Sequence, residues 1–375
     1  MKLQLTLFLI IFICYLSISQ TKSYKYPSPL EITKRVNYLQ RVIQEPLYPN
    51  SEIIQLGNTN YEFMLFSYSF SSYAMTNLAI SDTQYKKQAI QIIKSGIDKI
   101  QDYRVSSYYG IQNQLLHADS IPDFSVLYLG HLNLMLGCYR LLTKDSSYNL
   151  LNDKISKSLF RRYTNSKFLN LESYSNSIWI PDNTVALASL KLHSINTKSR
   201  YDSICKNWVK YAKANYLDKK TGVLFSTINP ETGKALEEPR GSMLGWSIMF
   251  IYRFDKDFAV DLYKNYKKHF SKNYLLFRLF KERNNSDETN MGDMDSGPLF
   301  RGYSIPANEF ALSNAVLAKD YKTAKKISRL INFGTKRIDK NNELKYRVKF
   351  VDMNISPLAE AMVLYSLTMA EWKKD

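Results

Sequence analysis

Apolar positions along this chain fall into blocks at helical spacing, separated by short polar stretches. Residues 84–100 place Ala89, Ile92, Ile93, Ile97 and Ile100 three or four apart, the stripe of an amphipathic helix. The preceding block, 61–80, is apolar and aromatic-rich. The same succession returns at 124–142 with 148–163, 184–192 with 201–216, 242–252 with 258–270, and 305–318 with 321–333. Block 357–372 ends the chain, and 29–43 is an amphipathic helix near its start. Counted as neighbours, these two complete about six pairs.

The two members of each pair differ in kind. The first carries small residues, such as Ala186 with Ala188, Gly241 with Gly245, and Ala307 with Ala311; the second carries lysine, such as Lys206 with Lys210 and Lys322 with Lys325. A helix apolar all round is buried, and one with a charged face lies outside. Short connections make successive helices antiparallel. The pattern therefore predicts an all-α fold, an (α/α)6 toroid of about six helical hairpins, whose repeats bury a common core only by stacking. Pro181, Pro306 and Pro357 sit at helix starts, where a missing N–H costs little. Asp82, Asp123 and Asp182 hold N-cap or near-N-cap positions. One region departs from helix: 221–226 and the turn at 229–233 read as one short β-hairpin insertion over a mouth of the ring.

The N-terminus adds a compartment. Lys2, an apolar run at 5–16 broken only by Thr6, and Ser17-Ile18-Ser19 form the pattern of a secretory signal over 1–19, with Gln20 opening the mature chain. An uncleaved anchor is the alternative, although the run falls short of the ~20 residues a membrane span needs. No later stretch is long and apolar enough to span a bilayer. No linker interrupts 20–375, which reads as a single exported domain, periplasmic or secreted. The formal charge of +17 is spread along the chain. It fits either acidic partners or a solvated lysine-rich surface, and export argues against nucleic acid. Cys138 and Cys205 lie in apolar helical stretches, as two buried thiols or as a disulfide. No zinc-type spacing and no nucleotide, haem, flavin or phosphate-loop motif occurs, so neither metal nor cofactor is expected. The spacing of Asp293 and Asp295 matches no known calcium loop.

In a ring of hairpins, the loops entering the inner helices converge on one end. Five are rich in polar residues: His117 to Asp123; Trp179-Ile180-Pro181-Asp182-Asn183; Glu237 to Ser242, with Trp246 one turn later; Met291 to Phe310; and Val351-Asp352-Met353-Asn354. The fourth gathers Asp293, Asp295, Arg301, Tyr303, Asn308 and Glu309. Each has a plain structural explanation: helix capping by Asp123 or Asp182, a core role for Trp179, an ion pair of Arg301 with Glu309, a surface role for His117. Together they suit a polar ligand with apolar faces, such as a sugar. Paired carboxylates in different environments divide acid and base roles, and that division hydrolyses glycosides. The expected pair is Asp182 with Asp295, with Asp293 or Asp123 as substitutes. Arg240 or Arg301 would hold an acidic substrate group, and Trp179, Trp246 and Tyr303 would stack on the ligand, with His117 and Glu309 beside it.

At WIPDNTVALASL (179–190), GSMLGWS (241–247) and DMDSGPLFRGYSIPANEFAL (293–312) the chain resembles the six-hairpin toroid superfamily, and locally its linalool dehydratase/isomerase-like and exported members. That superfamily includes glycoside hydrolases, unsaturated uronyl hydrolases and polysaccharide lyases. The resemblance implies the toroid across nearly the whole mature chain. Dehydratase chemistry in that group involves cysteines, yet Cys138 and Cys205 lie outside all five loops. Three functions follow. The first is a hydrolase acting on a glycan or uronic-acid oligosaccharide. The others are a dehydratase or isomerase, and a non-catalytic exported binding or scaffold protein.

Overall fold

A computed structural model of the chain describes residues 27–111, 115, 117, 121–285, 292–349 and 355–373. Six apolar helices form the inner ring: Glu62–Ser81, Val126–Leu142, Ile180–Thr197, Gly241–Ile251, Ile305–Leu317 and Pro357–Leu367. Each packs on its two neighbours, and the sixth packs on the first, which closes the ring. Five of the outer helices, Lys86–Gln101, Asn149–Asn165, Ser203–Asn215, Lys256–Phe270 and Tyr321–Gly334, each return against the inner helix before them. The N-terminal helix, Pro29–Gln44, is the sixth outer helix and packs on the last inner one. The toroid expected from the apolar blocks is therefore the fold. Because every outer helix reverses direction, all six inner helices run the same way and their N-termini share one mouth.

The ring is held tight by small residues. A Cβ at Gly130, on the second inner helix, would come within 3.1 Å of the Ala186 Cβ on the third. That is tighter than ordinary van der Waals contact, so a larger residue there would push the two helices apart. Inward positions of the first inner helix run Glu62, Phe66, Phe70 and Tyr73, four, four and three residues apart and so on one face. Phe70 meets Trp246 at 5.1 Å, Phe250 at 6.1 Å and Tyr365 at 5.7 Å between ring centroids. Aromatic rings from three inner helices thus fill the axis and floor the mouth.

Two boundaries differ from the sequence pattern. The third inner helix begins at Ile180 rather than 184, because Pro181 sits in its first turn with no N–H to lose. The last ends at Leu367, short of Trp372, whose indole donates to the Asn77 side chain at 2.7 Å.

The β-structure also differs. Four two-stranded ribbons are present among the described residues instead of one insertion. Thr227–Ile228 reverses across the expected turn at 229–233, where Ile228 bridges Ala235, and also pairs antiparallel with Ile178–Trp179, tying together the loops that enter the third and fourth inner helices. The longest ribbon, Thr335–Lys340 with Glu343–Val348, turns through Asn341 and Asn342, both left-handed at φ 55° and 59°. Two such residues in succession are the turn that matches strand twist. The ribbon packs on the N-terminal helix, where Arg41 pairs with Glu343 at 2.8 Å and Lys34 with Asp339 at 2.7 Å.

Candidate active site

Asp182 lies within the first turn of the third inner helix, after an N-cap (Trp179) that makes no side-chain capping bond. It therefore holds the near-N-cap position expected of it. It is buried, and burial pushes its pKa up to about 8. Ser173 hydrogen-bonds it and pulls the other way, while the charges of Glu62 and Asp295 push it further up. A carboxyl at a helix N-terminus is ordinarily favoured as an anion. Here desolvation and like charge win, and Asp182 is largely protonated at neutral pH.

Glu62, at the start of the first inner helix, is the second carboxyl of this group. The Tyr174 hydroxyl donates to it, and burial with the nearby Asp295 raises its pKa. Tyr109 is near enough to both Glu62 and Asp182 to feel their charges, and its buried hydroxyl has no partner among the described residues. Asp295 is the third carboxyl, raised chiefly by burial and held down by Arg240. Asp182 and Asp295, expected together, lie near enough for the charge of Asp295 to raise the Asp182 pKa. Glu62, Tyr174 and Tyr109 escaped the sequence reading, which took only the loops entering the second to sixth inner helices. Glu62 shares the inward face with Phe66 and Phe70, and that periodicity is the signal that marks it.

Two asparagines set this geometry. Asn183 accepts from the Leu171 N–H at 2.7 Å and the Tyr163 hydroxyl at 2.8 Å, and donates to the Leu171 and Trp179 carbonyls at 3.0 and 2.8 Å. It staples residues 170–174 to the third inner helix, which brings Ser173 to Asp182 and Tyr174 to Glu62. Asn308 does the same on the fifth, accepting from the Phe280 N–H and donating to the Phe280 and Ser304 carbonyls. Every polar atom of each amide side chain is used, so both are structural.

Arg240 is not available to a substrate acid. It is buried, and its guanidinium reaches Glu282 at 2.9 Å, Asp293 at 2.7 Å and Asp295 at 3.2 Å. Glu282 also accepts from the Ser242 N–H and hydroxyl, at 3.0 and 2.7 Å, at the start of the fourth inner helix. Gly241 permits this approach, since a Cβ there would stand 2.0 Å from the Lys281 carbonyl oxygen. Asp293 accepts from the Ser296 N–H at 2.9 Å, and its pKa falls because that bond and Arg240 outweigh burial. Asp293 is thus an anchor, and with Asp295 it flanks the Arg240 guanidinium.

The remaining expected residues scatter. Glu309 is half-buried on the fifth inner helix, and burial plus the charge of Glu360 pushes it up to about 8. Trp246 is buried at the floor, at 5.0 Å from Phe66 and 5.5 Å from Phe310, with its indole N–H unpartnered among the described residues. Trp179 is half-buried in the ribbon with Thr227. The Tyr303 hydroxyl lies 2.9 Å from that of Tyr274. Arg301 is exposed, left-handed at φ 50°, and rests over Phe300. His117 is exposed, and Asp123 faces solvent 3.7 Å from Arg162 rather than joining the three carboxyls. Asp123 is not the helix cap either, since the second inner helix starts after Ser125. Asp352 and Asn354 of the fifth loop, and Met291 of the fourth, lie outside the described residues. Cys138 and Cys205 are both free and buried; burial pushes the Cys138 thiol up to about 12 and raises that of Cys205 as well. The disulfide alternative is thereby removed.

No helix among the described residues is long and apolar enough to cross a membrane. No family model matches the chain. Solved structures do resemble it. A possible member of glycoside hydrolase family 105 from Salmonella enterica superposes with a TM-score of 0.61 at 11% identity, covering 93% of this chain and 95% of that one. The unsaturated glucuronyl hydrolase of Bacillus sp. GL1, described as responsible for glycosaminoglycan degradation, gives 0.58 at 13% identity over 92% and 97%. The GH76A alpha-1,6-mannanase of Salegentibacter sp. HEL1_6 gives 0.54 at 12% identity over 90% and 98%. At such identities the likeness establishes the α/α toroid and its near-complete extent.

Proposed function

We propose that this chain is an exported glycoside hydrolase acting on a glycan or uronic-acid oligosaccharide, with 1–19 as its signal and 20–375 as one mature domain. The observation that carries the reading is Asp182: a buried carboxyl in the first turn of the third inner helix, its pKa pushed up to about 8 by burial and by the charges of Glu62 and Asp295. A protonated acid next to an ionised carboxylate is the division of labour that glycoside hydrolysis needs. The toroid enzymes it resembles include hydrolases of uronate-containing and neutral glycans, which supports the substrate class.

In this reading Asp182 gives its proton to the glycosidic oxygen as the bond to the anomeric carbon breaks. Asp295, whose anion Arg240 favours, takes a proton from the attacking water. Glu62 holds the Asp182 proton in place through its charge and is a positioning residue. The unpartnered Tyr109 hydroxyl and Trp246 indole N–H offer hydrogen bonds to sugar oxygens, and Phe66 and Trp246 form an apolar floor. Burial of these groups strengthens each interaction relative to water.

The dehydratase or isomerase alternative requires a reactive thiol beside an acid. Cys138 faces Thr76 and Arg253, and Cys205 donates to the Leu187 carbonyl, so no observation favours it. A purely binding role leaves the protonated state of Asp182 without a purpose.

The test is hydrolysis of unsaturated uronyl oligosaccharides and of manno-oligosaccharides by the mature protein, beside Asp182→Asn. Turnover of either class that vanishes in the variant supports the assignment. Equal turnover by both proteins overturns it.

A further inference from the structure

A separate cleft of about 440 Å³ opens beside the mouth, where outer helix Asn149–Asn165 ends and the third inner helix begins. Arg161, Lys167, Phe168, Asn170 and Glu172 line it, with Asp123 and Arg162 at one side. The C-terminal carbonyls of a helix favour a cation. Three basic side chains against two carboxylates reverse that preference. Arg162 is spent on the scaffold, donating to the Ile121 and Pro122 carbonyls at 2.7 and 3.1 Å and to Ser125 at 3.2 Å. Arg161 and Lys167 are exposed, and the Lys167 ammonium lies 4.9 Å from the centre of the Phe168 ring.

Asn170 supplies the second observation. It is 3% exposed, and its Oδ1 accepts from the Trp208 indole at 2.9 Å. An indole only donates, so the amide cannot be turned the other way. Asn170 lines the cleft, and among the described residues its Nδ2 makes no well-formed hydrogen bond, although the Tyr216 hydroxyl stands close by. A buried donor without an acceptor is costly, and an oxygen-rich ligand would satisfy it.

The cleft also shares a wall with the mouth. Residues 170–174 carry Asn170 and Glu172 to the cleft, then Ser173 to Asp182 and Tyr174 to Glu62. We infer that this cleft is a second carbohydrate subsite, taking an anionic sugar unit, a uronate or a sulfated residue, of the same chain whose bond is cut at the mouth. The inference rests on the hydrolase reading above. The Asn170 amide donates to the anionic group, Lys167 and Arg161 balance its charge, and Phe168 gives the sugar an apolar edge.

Calorimetric titration of the turnover-free Asp182→Asn protein tests it, with a short oligogalacturonate, a manno-oligosaccharide of equal length and inorganic sulfate as probes. The expected result is tighter binding of the oligogalacturonate, weakened roughly tenfold by Lys167→Gln or by the isosteric Asn170→Asp, with manno-oligosaccharide binding unchanged. Oligogalacturonate affinity unaltered in both variants overturns the inference, and so does sulfate binding as tight as the oligosaccharide, which would leave a free-anion site. Lys167 is on the surface, so its variant folds even if Asn170→Asp does not. If no glycan is hydrolysed yet Lys167→Gln weakens oligogalacturonate binding, the hydrolase reading fails and the subsite stands. If glycans are hydrolysed and neither variant changes affinity or KM, the subsite fails alone.

Discussion

Arg240 holds Asp295 at 3.2 Å while its Nε holds the buried Glu282 at 2.9 Å, so one guanidinium ties the loop entering the fifth inner helix to the start of the fourth inner helix. Asp295 can stand beside Asp182 and Glu62 because that cation offsets part of the crowding of like charge.

Arg240→Ala is expected to destabilise the fold by about 3–5 kcal/mol, because Glu282 is left charged, buried and unpaired. Arg240→Lys keeps one charge but loses the fork, and should fall between. Urea unfolding monitored by circular dichroism checks both. Wild-type stability in Arg240→Ala would mean that Glu282 is neutral in the native state.

Asp182→Asn should lower kcat/KM by about 10²–10⁴-fold, the contribution of a general acid. Its effect on stability has the opposite sense. The folded-state pKa near 8 lies above the usual carboxyl value of 3.8, so the native state binds the extra proton. Its stabilising contribution is full below pH 3.8 and is lost as pH rises to 8, at up to about 1.4 kcal/mol per pH unit. Asparagine stays neutral throughout, so the Tm of the variant should exceed that of the native protein at pH 8 and above. A scan of Tm against pH for the two proteins decides it.

Glu62→Gln removes a negative charge that raises the Asp182 pKa. The alkaline limb of the kcat/KM profile, expected near pH 8, should shift to lower pH in this variant. Glu309→Gln is the control, since Glu309 is also pushed up to about 8 but its neighbour in charge is Glu360. It should leave that limb in place. A limb that moves in Glu309→Gln and not in Glu62→Gln would transfer the acid role to Glu309.

The ring is closed by Arg35 on the N-terminal helix, which meets Glu360 on the last inner helix at 2.8 Å with both side chains buried. Glu360 also accepts from the Tyr346 N–H, and the Arg35 guanidinium lies 4.3 Å from the Tyr346 ring centre. Arg35→Leu should cost about 3–5 kcal/mol by stranding Glu360. Hydrogen exchange in the variant should show early opening of Pro29–Gln44 and of the ribbon Thr335–Val348, ahead of the remaining inner helices. Uniform loss of protection around the ring would contradict that closure.

The sequence by itself determined the ring. Alternating apolar and lysine-bearing helices admit few arrangements that bury every apolar face, and six repeats of one hairpin are such an arrangement. It also placed Asp182 and Asp295 at one mouth, because helix direction follows from the hairpin connectivity alone. Tertiary structure decided what surrounds those residues. Arg240 looks the same in sequence whether it faces a substrate or three of the protein's own carboxylates, since its partners are 42, 53 and 55 residues away. Asp123 and Asp182 each stand near a helix start, and only burial separates an exposed surface carboxylate from a protonated acid. Glu62 and Tyr174 meet across 112 residues. The ribbons at 178–179 with 227–228 and at 335–348 likewise depend on pairings that local propensity does not encode, because a strand partner is set by what the rest of the fold brings alongside.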